Sequence, residues 1–197
     1  MEFNQTWWNE NAKNKLGTFM SWVGDHNAST KVYSRNYIYN KKFESIVDLG
    51  CATCTMYDGF KKEGFDIEYT GVDSCEHFIE LSRAKGVNCV CSDVRKTPFL
   101  DSSFDMVYSR HIIEHQPEFK NYMDETIRLS KKEVLHIFFK NPGETETISY
   151  SSDDNLFHNT YKKEDIEDYL RNHKKIKEFF WVMLNKDEEC ALHIINN

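Results

Sequence analysis

Apolar residues in this chain fall into short runs separated by polar stretches with a helical period. Ile46, Val47 and Leu49 form the first compact apolar run, and β-branched residues in so short a stretch predict a buried strand over 45–49. Similar runs predict strands over 67–73, 87–91, 104–109, 133–139, 179–184 and 190–195. Between them, apolar positions spaced three and four apart predict helices over 56–63, 76–85, 118–130 and 163–172. Two more helices are expected before the first strand, over 7–16 with Thr6 as N-cap and over 29–39. Gly86 supplies a helix stop, and Asn141-Pro142-Gly143 stops the fifth strand. Residues 144–161 are polar with scattered aromatics and read as a loop or irregular insertion. The last two strands flank Asn185-Lys186-Asp187-Glu188-Glu189, which predicts a hairpin.

The chemistry centres on 45–54, where the first strand runs into Gly50 and then the small residues Cys51, Ala52, Thr53 and Cys54. A glycine turn followed at once by a helix lets the backbone approach a ligand and presents free N–H groups. Only the first glycine of the dinucleotide pattern G-x-G-x-x-G is present, which argues against a dinucleotide-dependent reductase. The second strand ends at Asp73, where an acid is placed to accept hydrogen bonds from ribose hydroxyls.

The ordered segments Val47-Asp48-Leu49-Gly50-Cys51-Ala52-Thr53-Cys54, Gly71-Val72-Asp73-Ser74-Cys75, Cys91-Ser92-Asp93-Val94 and 104–115 resemble the four motifs of the class I S-adenosylmethionine-dependent methyltransferases. The resemblance covers about 44–140. It implies an α/β three-layer sandwich, with a mainly parallel seven-stranded sheet and a C-terminal antiparallel hairpin. It implies S-adenosylmethionine as cofactor, with Asp48, Gly50, Cys51 and Ala52 along its methionine and ribose part. By the same resemblance Asp73 takes the ribose hydroxyls, Ser74 neighbours the adenine, Asp93 faces the adenine amino group with Val94 against the ring, and Ser109 adjoins the site. The chain departs from the family's glycine pattern at Ala52 and Cys54.

The acceptor side is expected after the fourth strand. His111 and His115 are candidate general bases, and would share a face if that stretch is helical. Arg110 suits a carboxylate or phosphate on the acceptor, and Tyr108 and His158 are further candidates. Trp7 and Trp8 are expected to bind the acceptor: with Phe19 and Trp22 they belong to an N-terminal segment that in this family often packs across the cofactor and narrows access to it; the alternative is that they cover one edge of the sheet. No metal is expected, because His111-x-x-Glu114-His115 lacks an identifiable third ligand.

Length and composition set the remaining expectations. At 197 residues the chain reads as one domain: a cover segment over 1–43, a cofactor-binding core over 44–140 and the C-terminal half of the sheet over 141–197. A net charge of −7 argues against a broad nucleic-acid surface, so a small-molecule acceptor is expected, such as a sugar, a nucleotide-linked intermediate or another metabolite. A cofactor-binding module without catalysis, or a methyltransferase acting on nucleic acid or protein, are the alternatives. The pairs Lys131-Lys132, Lys162-Lys163 and Lys174-Lys175 are expected on helices or turns as solvated faces. No apolar run is long enough for a membrane helix, and the N-terminus lacks a secretory pattern, so the cytoplasm is the expected location. Cys51-x-x-Cys54 has the spacing of a redox or zinc half-site, with Cys89-x-Cys91 an imaginable second half. The small-residue turn and the strand alternation favour reading all four as packed, reduced thiols.

Overall fold

The computed structural model describes residues 5–17, 20, 24–152, 156–185 and 188–197, and of residues 5–7 only the backbone. The chain divides into two compact units, residues 1–97 and 98–197. Its class is α/β, with a seven-stranded, mainly parallel sheet and a C-terminal antiparallel hairpin.

In the first unit, helices α1 (Gln5–Asn14) and α2 (Ser29–Lys41) precede β1 (Ser45–Leu49). Thr6 lies inside α1 rather than capping it. Then α3 (Thr55–Glu63), β2 (Glu68–Asp73), α4 (Glu76–Ala84) and β3 (Cys89–Cys91) follow. The strands pair in parallel, with Ser45 opposite Glu68 and Leu49 opposite Val72, and Gly71 opposite Cys89. Ile46, Val47, Leu49 and Val72 have no solvent exposure, as expected of strands covered on both faces. Gly86, at a φ of 80°, breaks the chain out of α4 as its sequence position predicts.

Two cysteine sulfurs explain why β2 carries a glycine in its middle. A Cβ at Gly71 would stand 2.7 Å from Cys54 Sγ and 2.8 Å from Cys51 Sγ. Gly71→Ala is therefore expected to destabilise the fold by about 1–3 kcal/mol through overpacking, read as a lower urea midpoint. A midpoint equal to the parent's would disprove the crowding.

In the second unit, β4 (Phe104–Arg110) pairs in parallel with β5 (Ser130–Phe138), β9 (Cys190–Asn196) pairs antiparallel with β5, and β8 (Ile176–Met183) pairs antiparallel with β9. Helix α5 (Lys120–Leu129) is shorter than the 118–130 pattern predicts. Glu118 stays outside and caps it, accepting from Lys120 N at 2.8 Å and Asn121 N at 3.1 Å, while Ser130 already pairs with Phe104. Lys131 and Lys132 consequently sit on β5 rather than on a helix or turn, and Lys132 pairs with Asp105 at 2.9 Å. Helix α6 spans Lys163–Asn172, as the periodicity predicts.

The 144–161 stretch is more ordered than its composition suggests. Strands β6 (Tyr150–Ser151) and β7 (Leu156–Phe157) pair antiparallel, extended by a bridge between Thr147 and Thr160. Buried Asn159 anchors it: its side chain donates to Gln116 O at 2.7 Å and accepts from Ser149 N at 3.0 Å. Its backbone N–H donates to Glu114 O at 2.9 Å. Among the described residues no helix is long and apolar enough to cross a membrane.

Candidate functional site

The turn after β1 has an unusual backbone. Gly50, Ala52 and Cys54 all adopt left-handed conformations, with φ of 79°, 46° and 56°. Alternating this geometry with ordinary residues curls the chain so that its N–H groups turn inward, here onto Val72 O, the Asp73 carboxylate and Cys51 O. Gly50 takes it without strain, whereas Ala52 and Cys54 do so because the surroundings hold them. Gly50 N and Cys51 N donate to Val72 O at 2.8 and 3.0 Å, and Cys54 N donates to Cys51 O at 2.8 Å.

Asp73 ties this turn to the end of β2. Its Oδ2 accepts from Ala52 N at 2.9 Å and its Oδ1 from Cys75 N at 2.8 Å. Burial raises the Asp73 carboxyl above its ordinary range, and the N–H groups of Cys75, Ala52 and Ser74 partly offset that. The two carboxylate oxygens together have four acceptor positions, so with three N–H donors one position is left for a further donor. Ser74 is half-buried beside it.

Asp48 lies deeper, 4% exposed, with Tyr69 donating to its Oδ2 at 2.7 Å. Burial and the neighbouring Asp48 charge push the Tyr69 phenol well up. Asp93 is half-exposed and already engaged by Arg95, whose Nη2 lies 2.6 Å from its Oδ2. Burial alone raises the Asp93 carboxyl, but the side-chain and backbone hydrogen bonds from Arg95 outweigh it and leave the group below its usual range. Val94 is half-buried in the following turn.

Trp8 packs against Cys75 and Phe78 of the α4 entry, in the cluster that Ala52 also joins. Its ring centroid is 6.5 Å from that of Phe78. The side chain of Trp7, and Phe19 and Trp22, lie outside the described residues.

In the second unit, the residues singled out after β4 are held by partners far along the chain. Ser109 is 1% exposed and receives a hydrogen bond from Tyr122 at 2.5 Å. His111 has a left-handed φ of 59°, donates its backbone N–H to Ile137 O at 2.8 Å and sets its Nε2 2.7 Å from Glu189 Oε1. Arg110 approaches the same carboxylate at 3.7 Å. Burial lowers His111 to about 4, outweighing the Glu189 hydrogen bond, so the imidazole is neutral near pH 7. A carboxylate only accepts, so Nε2 carries the proton and Nδ1 keeps a lone pair.

His111 and His115 do not share a helical face. The left-handed His111 breaks the chain before a short 3₁₀ turn, Ile113–His115. They converge instead on Phe139, with ring centroids 5.6 and 5.5 Å away. His115 places Nδ1 2.6 Å from Phe157 O, and its ring meets that of His158 at 5.4 Å. Glu189, the partner of His111 and Arg110, carries no local signal: it sits in a polar hairpin connection 78 residues from His111. Among the described residues no group of three or more His, Cys, Asp or Glu is arranged to hold a metal ion.

An open α/β sheet with a glycine turn after its first strand and an acid closing its second is the layout of a Rossmann-like fold. Residues 47–138 match the family model described as a methyltransferase domain, and over that stretch the chain is similar to the S-adenosylmethionine-dependent methyltransferases. The magnesium protoporphyrin IX methyltransferase of Synechocystis PCC 6803, solved with bound S-adenosylhomocysteine, superposes with a TM-score of 0.71 over 98% of both chains at 11% identity. The 1,6-didemethyltoxoflavin-N1-methyltransferase of Burkholderia thailandensis gives 0.65 over 95% of this chain and 89% of that one, at 16% identity. These likenesses establish the fold. In sequence, the chain is 28% identical over 82 residues to the probable tRNA methyltransferase 9B of Bos taurus. That match takes in 41% of this chain and spans 17% of the relative's length.

Proposed function

We propose that this chain transfers a methyl group from S-adenosylmethionine to a small-molecule acceptor. The observation that carries the reading is the Asp73 carboxylate, fixed by Ala52 N–H and Cys75 N–H beside a left-handed turn, with acceptor capacity left over. This donor and acceptor set fits an adenosyl group: Asp73 holds the ribose hydroxyls, Ser74 and Val94 lie along the adenine, and Asp93 receives its amino group. The backbone of Gly50, Cys51 and Ala52 faces the methionine part, with Asp48 fixing β1 beneath it through Tyr69. Ser109 Oγ accepts from Tyr122 and keeps its own O–H as a donor. Trp8, packed against the same Cys75 and Phe78 cluster as Ala52, covers the turn.

When bound, the cofactor supplies an activated methyl group on a sulfonium. The protein's work is alignment, and removal of a proton where the acceptor needs it. In this proposal His111 is the base, through the Nδ1 lone pair that its contact with Glu189 leaves available. His115, with Nδ1 turned to Phe157 O, is the second candidate, and Arg110 is the group for an anionic acceptor.

Asp73→Ala is expected to weaken S-adenosylhomocysteine binding by about 1.5–3 kcal/mol, roughly 10- to 150-fold, in calorimetry. A folded parent protein that gives no binding heat with either form of the cofactor would sink the reading. The net charge of −7 supports a small acceptor. The similarity to a probable tRNA methyltransferase favours one second reading, a tRNA acceptor. Release of S-adenosylhomocysteine from tRNA, but from no panel of small metabolites, would select it.

A further inference from the structure

We propose that Cys51 and Cys54 are a peroxide-sensitive thiol pair, whose oxidation to a disulfide distorts the turn assigned to the cofactor and shuts off its binding. The inference rests on that assignment of the turn. The two residues are the ends of one hydrogen-bonded turn, Cys54 N to Cys51 O at 2.8 Å. The ends of such a turn have Cα atoms less than about 7 Å apart, within the reach of a disulfide. Their sulfurs converge on a single point, 2.7 and 2.8 Å from where a Gly71 Cβ would stand. All six cysteines are free thiols. Cys91 Sγ is turned elsewhere, 3.6 Å from Ser74 O, whereas Cys89 Sγ, 3.5 Å from Val87 O and 3.6 Å from Ile79 O, also contacts Cys54 and is the competing partner for a disulfide.

The pair is also chemically asymmetric. Cys54 stands at the N-cap of α3, where free N–H groups favour a thiolate. A hydrogen bond from the Cys51 thiol lowers Cys54 despite its burial, while burial first, and then Cys54 itself, raise Cys51 well above an ordinary thiol. Cys54 is thus the nucleophile and Cys51 the resolving thiol.

The oxidant is a peroxide, small enough to reach a buried sulfur. The Cys54 thiolate attacks one peroxide oxygen; an S–O bond forms, the O–O bond breaks, and the leaving hydroxide takes up a proton to become water. Cys51 then attacks the sulfenic sulfur; an S–S bond forms, the S–O bond breaks, and hydroxide leaves with the Cys51 proton as a second water. Two electrons pass from the thiol pair to the peroxide. Drawing the sulfurs to about 2.05 Å moves both off Gly71 and twists the intervening Ala52, whose N–H holds Asp73.

The test uses the reduced full-length chain, hydrogen peroxide and S-adenosylhomocysteine. Peptide mass mapping should show loss of two hydrogens across 51–54. Calorimetry should show binding weakened by about tenfold or more, the scale of a disrupted preorganised site, and restored by dithiothreitol. Cys89→Ala should respond as the parent does, and the binding of Cys54→Ala should not respond to peroxide. A disulfide to Cys89, over-oxidation without a disulfide, or undiminished binding by the oxidised chain would each overturn the proposal. If the reduced chain binds no cofactor, the functional reading fails and the regulation with it. Binding without the mass change removes only the thiol pair.

Discussion

Replacing His111 by alanine is expected to lower kcat by about 10²–10⁴ while leaving S-adenosylhomocysteine affinity near that of the parent. The expectation follows from the geometry after β4. Glu189 fixes the imidazole at 2.7 Å by accepting from Nε2–H, leaving Nδ1 as the basic atom. Burial lowers this histidine to about 4, so it is already deprotonated across the neutral range. The kcat profile governed by His111 should therefore be flat from about pH 6 to 8 and fall only as pH approaches 4. Glu189→Gln should cost less, because an amide oxygen still accepts from Nε2–H but holds the ring less strongly. An unchanged kcat for His111→Ala would mean that alignment alone carries the reaction. Alanine also relieves a left-handed β-carbon residue only slightly, so a glycine variant is the control for backbone strain at a φ of 59°.

Glu114→Gln should become more stable than the parent as pH rises, by a few kcal/mol at about pH 8 to 9 in urea unfolding. Glu114 is 1% exposed; its Oε1 accepts from Phe139 N at 2.7 Å, and Oε2 has no hydrogen-bond partner among the described residues. Burial raises its carboxyl to about 8, against the pull of these N–H groups and of the Arg110 charge. The sign follows from proton counting. Between the ordinary carboxyl value near 4.5 and about 8 the folded chain holds a proton that the unfolded chain has released, so stability falls as pH rises through that window. Below it the contribution is fully present, and above it the loss is complete. Glutamine keeps the accepting oxygen and cannot ionise, so parent and variant should agree near pH 5 and diverge above it. His136, lowered to about 3 by burial, works in the opposite direction at lower pH, and the difference between the two proteins cancels it. Parallel stability curves from pH 5 to 9 would refute a neutral Glu114.

The elements that locate the candidate site are local, and the sequence declares them. The β-branched run into Gly50, the small residues behind it and an acid closing β2 are all read within a few positions, because strand, turn and helix start are set by neighbouring residues. Helix α6 and the hairpin strands were legible for the same reason. Where local signals overlap, the boundaries shifted: Glu118 caps α5 instead of joining it, and Ser130 to Lys132 form strand because β4 offers them hydrogen bonds.

What the sequence by itself determined is thus the α/β class, the order of its strands and helices, and the turn carrying Gly50 with Asp73 opposite. Tertiary structure decided which of these groups have chemistry left to offer. It brought Glu189 to His111 across 78 residues, turned the Tyr122 hydroxyl onto Ser109 Oγ, and set two cysteine sulfurs on the bare backbone of Gly71. It also paired Tyr150–Ser151 with Leu156–Phe157, beside a buried asparagine that no turn pattern marks. The physical reason is common to all four. Burial removes water as a partner, so each polar or sulfur group must be met by whatever the fold places beside it, and sequence spacing carries no record of that neighbour.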